Sequence, residues 1–150
     1  MSAFSITSVA FSLGMVFLIG AAEAKRSCPT PVDSAVEKAY PDSKIARCKK
    51  ETDAGKTQYE VKLKGKGFRG LEIDVAPEGS ILQTKEKVKV RSVPQVVRSA
   101  FAAKYPTMKI ARVQKRTKPD GSVSYEVIFM DKIKSHRITF SNEGAFIEEV

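Results

Sequence analysis

The eleven residues YPDSKIARCKK, beginning at Tyr40, return almost letter for letter as YPTMKIARVQK beginning at Tyr105. A repeat of 65 positions in a chain of 150 residues leaves room for two copies of one small unit and little else. Each copy must either bury an apolar face of its own or share one with its twin.

Both copies open on a helical pattern. Thr30-Pro31 supplies an N-cap and a first helical residue, and Val32, Ala35, Val36, Ala39 and Tyr40 follow at i, i+3, i+4, i+7 and i+8. In the second copy Ser92 is the expected cap, Val93 and Pro94 start the helix, and Val97, Ala100, Phe101 and Tyr105 form the stripe. A residue that precedes proline is pushed away from helical dihedrals, so each helix is expected to stop at its tyrosine.

Beyond the break the period changes from helical to alternating. Lys44 to Glu51 and Lys109 to Thr117 read as strands. Lys118-Pro119-Asp120-Gly121 reads as a turn, with Asp53-Ala54-Gly55 as its poorer counterpart. QYEVKL from Gln58 and SYEVIF from Ser124 place Tyr59, Val61 and Leu63, and Tyr125, Val127 and Phe129, on one face. LEIDVAPEGSIL from Leu71 and HRITFSNEGAFI from His136 each give strand, turn and strand, with Leu71, Ile73 and Val75, and His136, Ile138 and Phe140, sharing a face. The fourth strand of the first copy is expected to run to Val90. The unit is therefore a helix plus a four-stranded antiparallel meander, and the chain is an α+β tandem duplication. Because Arg91-Ser92 leads straight into the second helix, the copies are expected to be coupled, either as a combined eight-stranded sheet or packed through their helices.

The first 24 residues are apolar from Phe4 onward and end in Ala22-Glu23-Ala24, which suits a signal peptide cut after Ala24. Retention as an N-terminal membrane anchor is the alternative. The expected division is residues 1–24 as signal, 25–91 as the first module and 92–150 as the second. An exported chain with only two cysteines makes a Cys28–Cys48 disulfide the natural expectation, with two separate thiols as the alternative. The formal charge of +9 favours acidic partners, although bases and acids alternate along the whole chain, as on an ordinary soluble surface.

The order of helix, Tyr-Pro, basic strand, Pro-Asp-Gly hairpin, Tyr-Glu-Val and Asn-Glu-Gly is similar to that of the PepSY-like, or β-lactamase-inhibitor-like, domains. Val93 to Val150 resembles them most clearly, and about Val32 to Val90 looks like a diverged copy. The resemblance implies a periplasmic or secreted location and a noncatalytic helix-plus-sheet binding module, often found in tandem. It carries no catalytic motif.

No residue pattern points to catalysis, a cofactor or a metal. His136 is the sole histidine, with no acid/base constellation beside it, and is expected to be a partly buried structural residue. GKGFRG lacks the Lys-Ser/Thr ending of a phosphate loop and lies between strands, so it is expected to be a hairpin with Phe68 and Arg69 as binding candidates at its tip. Lys62 and Lys64 of copy one become Ile128 and Met130 in copy two, on the strand phase that faces away from the helix. Ile128 and Met130, with Arg137 nearby, are therefore a candidate partner-binding face, with a contact between the two lobes or ordinary surface hydrophobes as the alternative. The expected partner is a protein or peptide segment, acidic or envelope-associated, with inhibition of an envelope enzyme one possible consequence. A structural role in the envelope and nonspecific nucleic-acid binding are the alternatives. The latter would need Lys49, Lys62, Lys64, Lys66, Arg69, Lys115, Arg116 and Arg137 to gather on one face. Oligomeric state is not legible.

Overall fold

The computed structural model describes residues 28–53, 55–68 and 70–150, apart from the side chain of Asp53. The expected signal segment, the turn residue Ala54 and the binding candidate Arg69 lie outside the described residues. The first unit consists of α1 (Thr30–Ala39), β1 (Lys44–Asp53), β2 (Lys56–Lys64), β3 (Leu71–Val75) and β4 (Ile81–Val88). A short 3-10 turn at Val90–Ser92 leads into the second unit, α2 (Gln95–Lys104), β5 (Ile110–Thr117), β6 (Val123–Met130), β7 (Ser135–Ser141) and β8 (Phe146–Glu149). All eight strands lie in one antiparallel sheet in the order β1 to β8. Of the two expected arrangements, edge-to-edge pairing is the one formed. β4 and β5 meet in register from Thr84 opposite Thr117 to Val88 opposite Val113.

The helix ends follow proline chemistry, with one correction. α1 and α2 stop at Tyr40 and Tyr105, whose φ/ψ of −137°/64° and −132°/68° lie outside the helical region that a following proline disfavours. The starts differ from expectation, because Pro29 and Pro94 are the capping residues and no side chain caps either helix. Proline has no N–H to leave unsatisfied, and the carbonyls of Pro29 and Pro94 accept the first helical N–H groups. Ser92 instead belongs to the 3-10 turn that ends the first unit, and β4 stops at Val88 rather than at Val90.

Each helix covers its own four strands. In the first unit Val32 and Val36 pack with Val61, Leu63, Ile73 and Val75. In the second, Val97 and Phe101 pack with Val113, Tyr125, Val127, Phe129, Ile138 and Phe140. The expected inward phase is thus the buried one, and successive side chains on each strand must point away from the helices. Cys28 and Cys48 are joined, with Cα atoms 5.5 Å apart. At the equivalent places of the second unit stand Val93 and Val113, both buried in the core. One unit is therefore tied by a covalent bond where its twin relies on two packed valines.

Candidate functional site

Because both helices lie on the same side, the other face of the sheet carries no covering element among the described residues. It holds a shallow, polar depression of about 470 Å³. Its cations are Arg47, Lys49, Lys85, Arg112, Arg116 and Arg137, and its acids are Glu51, Glu60, Glu72, Asp74, Glu126 and Glu148. Six of each sign balance within this depression, although the chain carries +9.

Much of the charge is paired within the face. Lys85 on β4 reaches Asp74 on β3 and Glu60 on β2, each at 2.9 Å. Gln83 donates to the second Asp74 oxygen at 2.7 Å. Asp74 is 1% exposed and Lys85 8%. Burial works to lower the Lys85 pKa, but the hydrogen bonds and charges of Asp74 and then Glu60 outweigh it and hold the ammonium above its ordinary 10.5. Burial likewise works to raise Glu60, and Lys85 overcomes it, leaving that carboxyl below 4.5. In the second unit Arg116 pairs with the buried Glu126 and lies 3.7 Å from Glu148. Lys62 pairs with Glu72 at 2.9 Å. Ion pairs fixed in this way are a prearranged pattern of potential.

The rim of the second unit differs. Ile128 stands between Arg112 on β5 and Arg137 on β7, and Arg137 exchanges both backbone hydrogen bonds with Val150. Met130 follows Ile128 on the same strand face and is 56% exposed. Among the described residues neither Arg112 nor Arg137 is in an ion pair. This corner is apolar at its centre and positive at its edge.

The expected site residues fare unequally. Met130 and Arg137 are exposed on the face assigned to them. Ile128 is on that face but only 7% exposed, a correction with a plain cause: its two cross-strand neighbours are arginines, whose methylene stems suit the covering of an apolar chain. Phe68 does not stand free at a hairpin tip. The loop folds back so that Phe68 packs against the first core, edge-on to Tyr40 with ring centres 6.0 Å apart. His136 is half-buried on the helix side, stacked on Phe129, with Nε2 2.5 Å from Asp131 Oδ2. Backbone N–H groups of Lys134 and Ile133, and then His136, hold the Asp131 carboxyl well below the usual carboxylate range. The cations required for a single nucleic-acid face are divided, since Arg116 lies on the open face while Lys115, opposite Tyr125, is on the helix side.

Sequence reasoning missed Lys85, Glu60, Asp74 and the Arg116–Glu126 pair. Their alternation marked them as outward, but Lys85 meets Glu60 only across an intervening strand.

A family model described as "Putative beta-lactamase-inhibitor-like, PepSY-like" matches residues 24–83 and again 68–148. The chain belongs to this PepSY-like family. Two matches to one model agree with two copies of the unit. No curated protein matches the sequence. Among solved structures, a protein of Bacteroides eggerthii described as one of the "putative periplasmic proteins" is 19% identical, with a TM-score of 0.66 over 83% of this chain and 88% of that one. A BLIP-like protein of Bacteroides fragilis is 20% identical, with a TM-score of 0.58 over 80% and 83%. A DUF2874 family protein of Bacteroides uniformis is 20% identical, with a TM-score of 0.66 over 83% and 89%. At these identities the likeness is one of fold. No helix among the described residues is long and apolar enough to cross a membrane.

Proposed function

We propose that this PepSY-like chain is an exported, noncatalytic protein- or peptide-binding module that docks its partner on the open face of the sheet. The signal-like first 24 residues, and the periplasmic description of the Bacteroides eggerthii relative, support export. The observation that carries the binding reading is the corner formed by Met130, Val150, Arg112 and Arg137. Apolar surface beside two guanidinium groups that have no ion-pair partner among the described residues is complementary to a partner segment that combines apolar and acidic side chains. Binding there would act by occupation of the partner's surface, so inhibition is one consequence and covalent chemistry none. The acids interleaved with the bases over the rest of the face argue against nucleic acid, whose phosphates favour an unbroken positive track.

The test is partner capture from the native envelope by immobilised Lys25–Val150 in moderate salt. A target held by the wild type is expected to be lost by R112E/R137E and by M130E, and retained by a charge change on α1. Retention by all three variants refutes the assignment of the face. Turnover of a defined substrate at catalytic stoichiometry refutes the noncatalytic reading.

A further inference from the structure

The two units are not equal on their helix side. In the second unit Phe146 of β8 lies beside the end of α2, with the Lys104 ammonium 4.0 Å from its ring centre. The same lysine is 3.9 Å from Glu149. At a spacing of 65 the first unit has Ile81 where the second has Phe146, and Ala39 where it has Lys104. The equivalence is visible in the backbone as well. Gly79 packs on the Pro31 carbonyl, and Gly144, 65 residues later, packs on that of Val96. A ring and a long lysine in the second unit are thus matched by an isoleucine and an alanine in the first.

What remains in the first unit is an open groove of about 700 Å³, within the range of small-ligand sites. Ala35, Ala39, Tyr40 and Ile81 supply apolar lining, and the paired Thr84 and Thr117 lie at the junction of the units. A further wall is present here alone. β4 continues into a neighbour, and the β5–β6 turn brings Lys118 and Pro119 against the groove. Among the described residues β8 has no strand beyond it. Lys38 and Lys118 line the groove, no acid does, and among the described residues neither lysine is in an ion pair.

We infer that this groove is a binding site for a peptide segment in which an aromatic residue is followed by acidic ones. The ring would lie over Ala39 beside Ile81, where the second unit has its Lys104–Phe146 contact, and the carboxylates would meet Lys38 and Lys118. This rests on the peptide-binding reading above but uses the opposite side of the sheet.

The probe is acetyl-Phe-Glu-Glu-amide, titrated into Lys25–Val150 and followed by backbone amide shifts in NMR. The expected result is saturable movement of the Ala35, Ala39, Ile81, Thr84 and Thr117 amides, with a Kd of about 1 mM or below. K38E/K118E should weaken binding by at least about fivefold. A35L/A39L should abolish it by filling the groove, and an unchanged Tm would show that these variants remain folded. Acetyl-Ala-Glu-Glu-amide and acetyl-Phe-Lys-Lys-amide should not saturate the site. Equal response to either control, better occupation by a free fatty acid, or no saturable shift overturns the inference. Movement only on the open face overturns the groove while leaving the binding reading intact, and loss of both responses in a folded protein counts against the two together.

Discussion

Removal of the Cys28–Cys48 bridge tests the duplication at the level of energy. The bond joins residues 20 positions apart, and the loop-closure entropy denied to the unfolded chain by such a link amounts to about 3 kcal/mol at 25 °C. The second unit shows what a version without the bridge looks like, because Val93 and Val113 occupy the equivalent positions and are both buried. C28V/C48V should therefore lose the entropic constraint while keeping an apolar contact. C28A/C48A should lose both, and about 1.5 kcal/mol per missing valine separates the two variants. Urea unfolding of Lys25–Val150, oxidised, reduced and in both variants, measures this directly. The double valine should fall about 3 kcal/mol below the oxidised wild type, roughly 10 °C in Tm, and the double alanine should fall further. If the double valine matches the oxidised protein and reduction shifts nothing, the bridge constrains no loop that matters and the reasoning is wrong. If the two variants are equally unstable, the valine equivalence between units fails instead.

Replacing Lys85 with methionine leaves Asp74 and Glu60 facing each other without their cation, and should cost about 3 kcal/mol in denaturant unfolding. The pH profile of stability carries the same signature. The contribution of Glu60, whose pKa is depressed, is present above 4.5 and lost as pH falls through the folded value. That of Lys85, whose pKa is raised, is present below 10.5 and lost as pH rises through the folded value. K85M should reduce the slope of both limbs, and an unchanged profile would remove the network from the account. Gly79→Ala and Gly144→Ala should each destabilise by at least about 1–2 kcal/mol. Both residues sit at positive φ, and an added Cβ would lie 2.7 Å from the Pro31 oxygen or 2.8 Å from a Val96 methyl. Calorimetry that finds either variant as stable as the wild type would contradict these turn geometries. Finally, V93C/V113C should form a second bridge in oxidising conditions, and a thiol assay finding two free sulfhydryls in the folded protein would exclude it.

The reach of the sequence is set by the range of the forces it encodes. Alternation along six residues is enough to show that Val127 points inward and Met130 outward, because strand geometry leaves no other option once one face is apolar. The tyrosine–proline pairs stop both helices by local sterics, and the 65-residue echo establishes two copies of one unit. Phe68 departs from the sequence expectation for the converse reason, since a loop's path is decided by what it can pack against, and Tyr40 lies 28 residues away in the chain. Alternation puts Ile128 on the open face, but the exposure it implies is removed by arginine neighbours on two other strands.

The tertiary structure alone decided that β4 would pair with β5, and much follows from that one ladder. It makes a single face from two sheets, sets Lys85 beside Arg116, and brings the β5–β6 turn against a groove that the second unit cannot wall in the same way. The sequence determined the parts because their periodicity and turn chemistry act within a few residues. How they join depends on hydrogen bonds between strand edges, which nearly every residue offers alike, so the choice emerges only when the whole chain is packed.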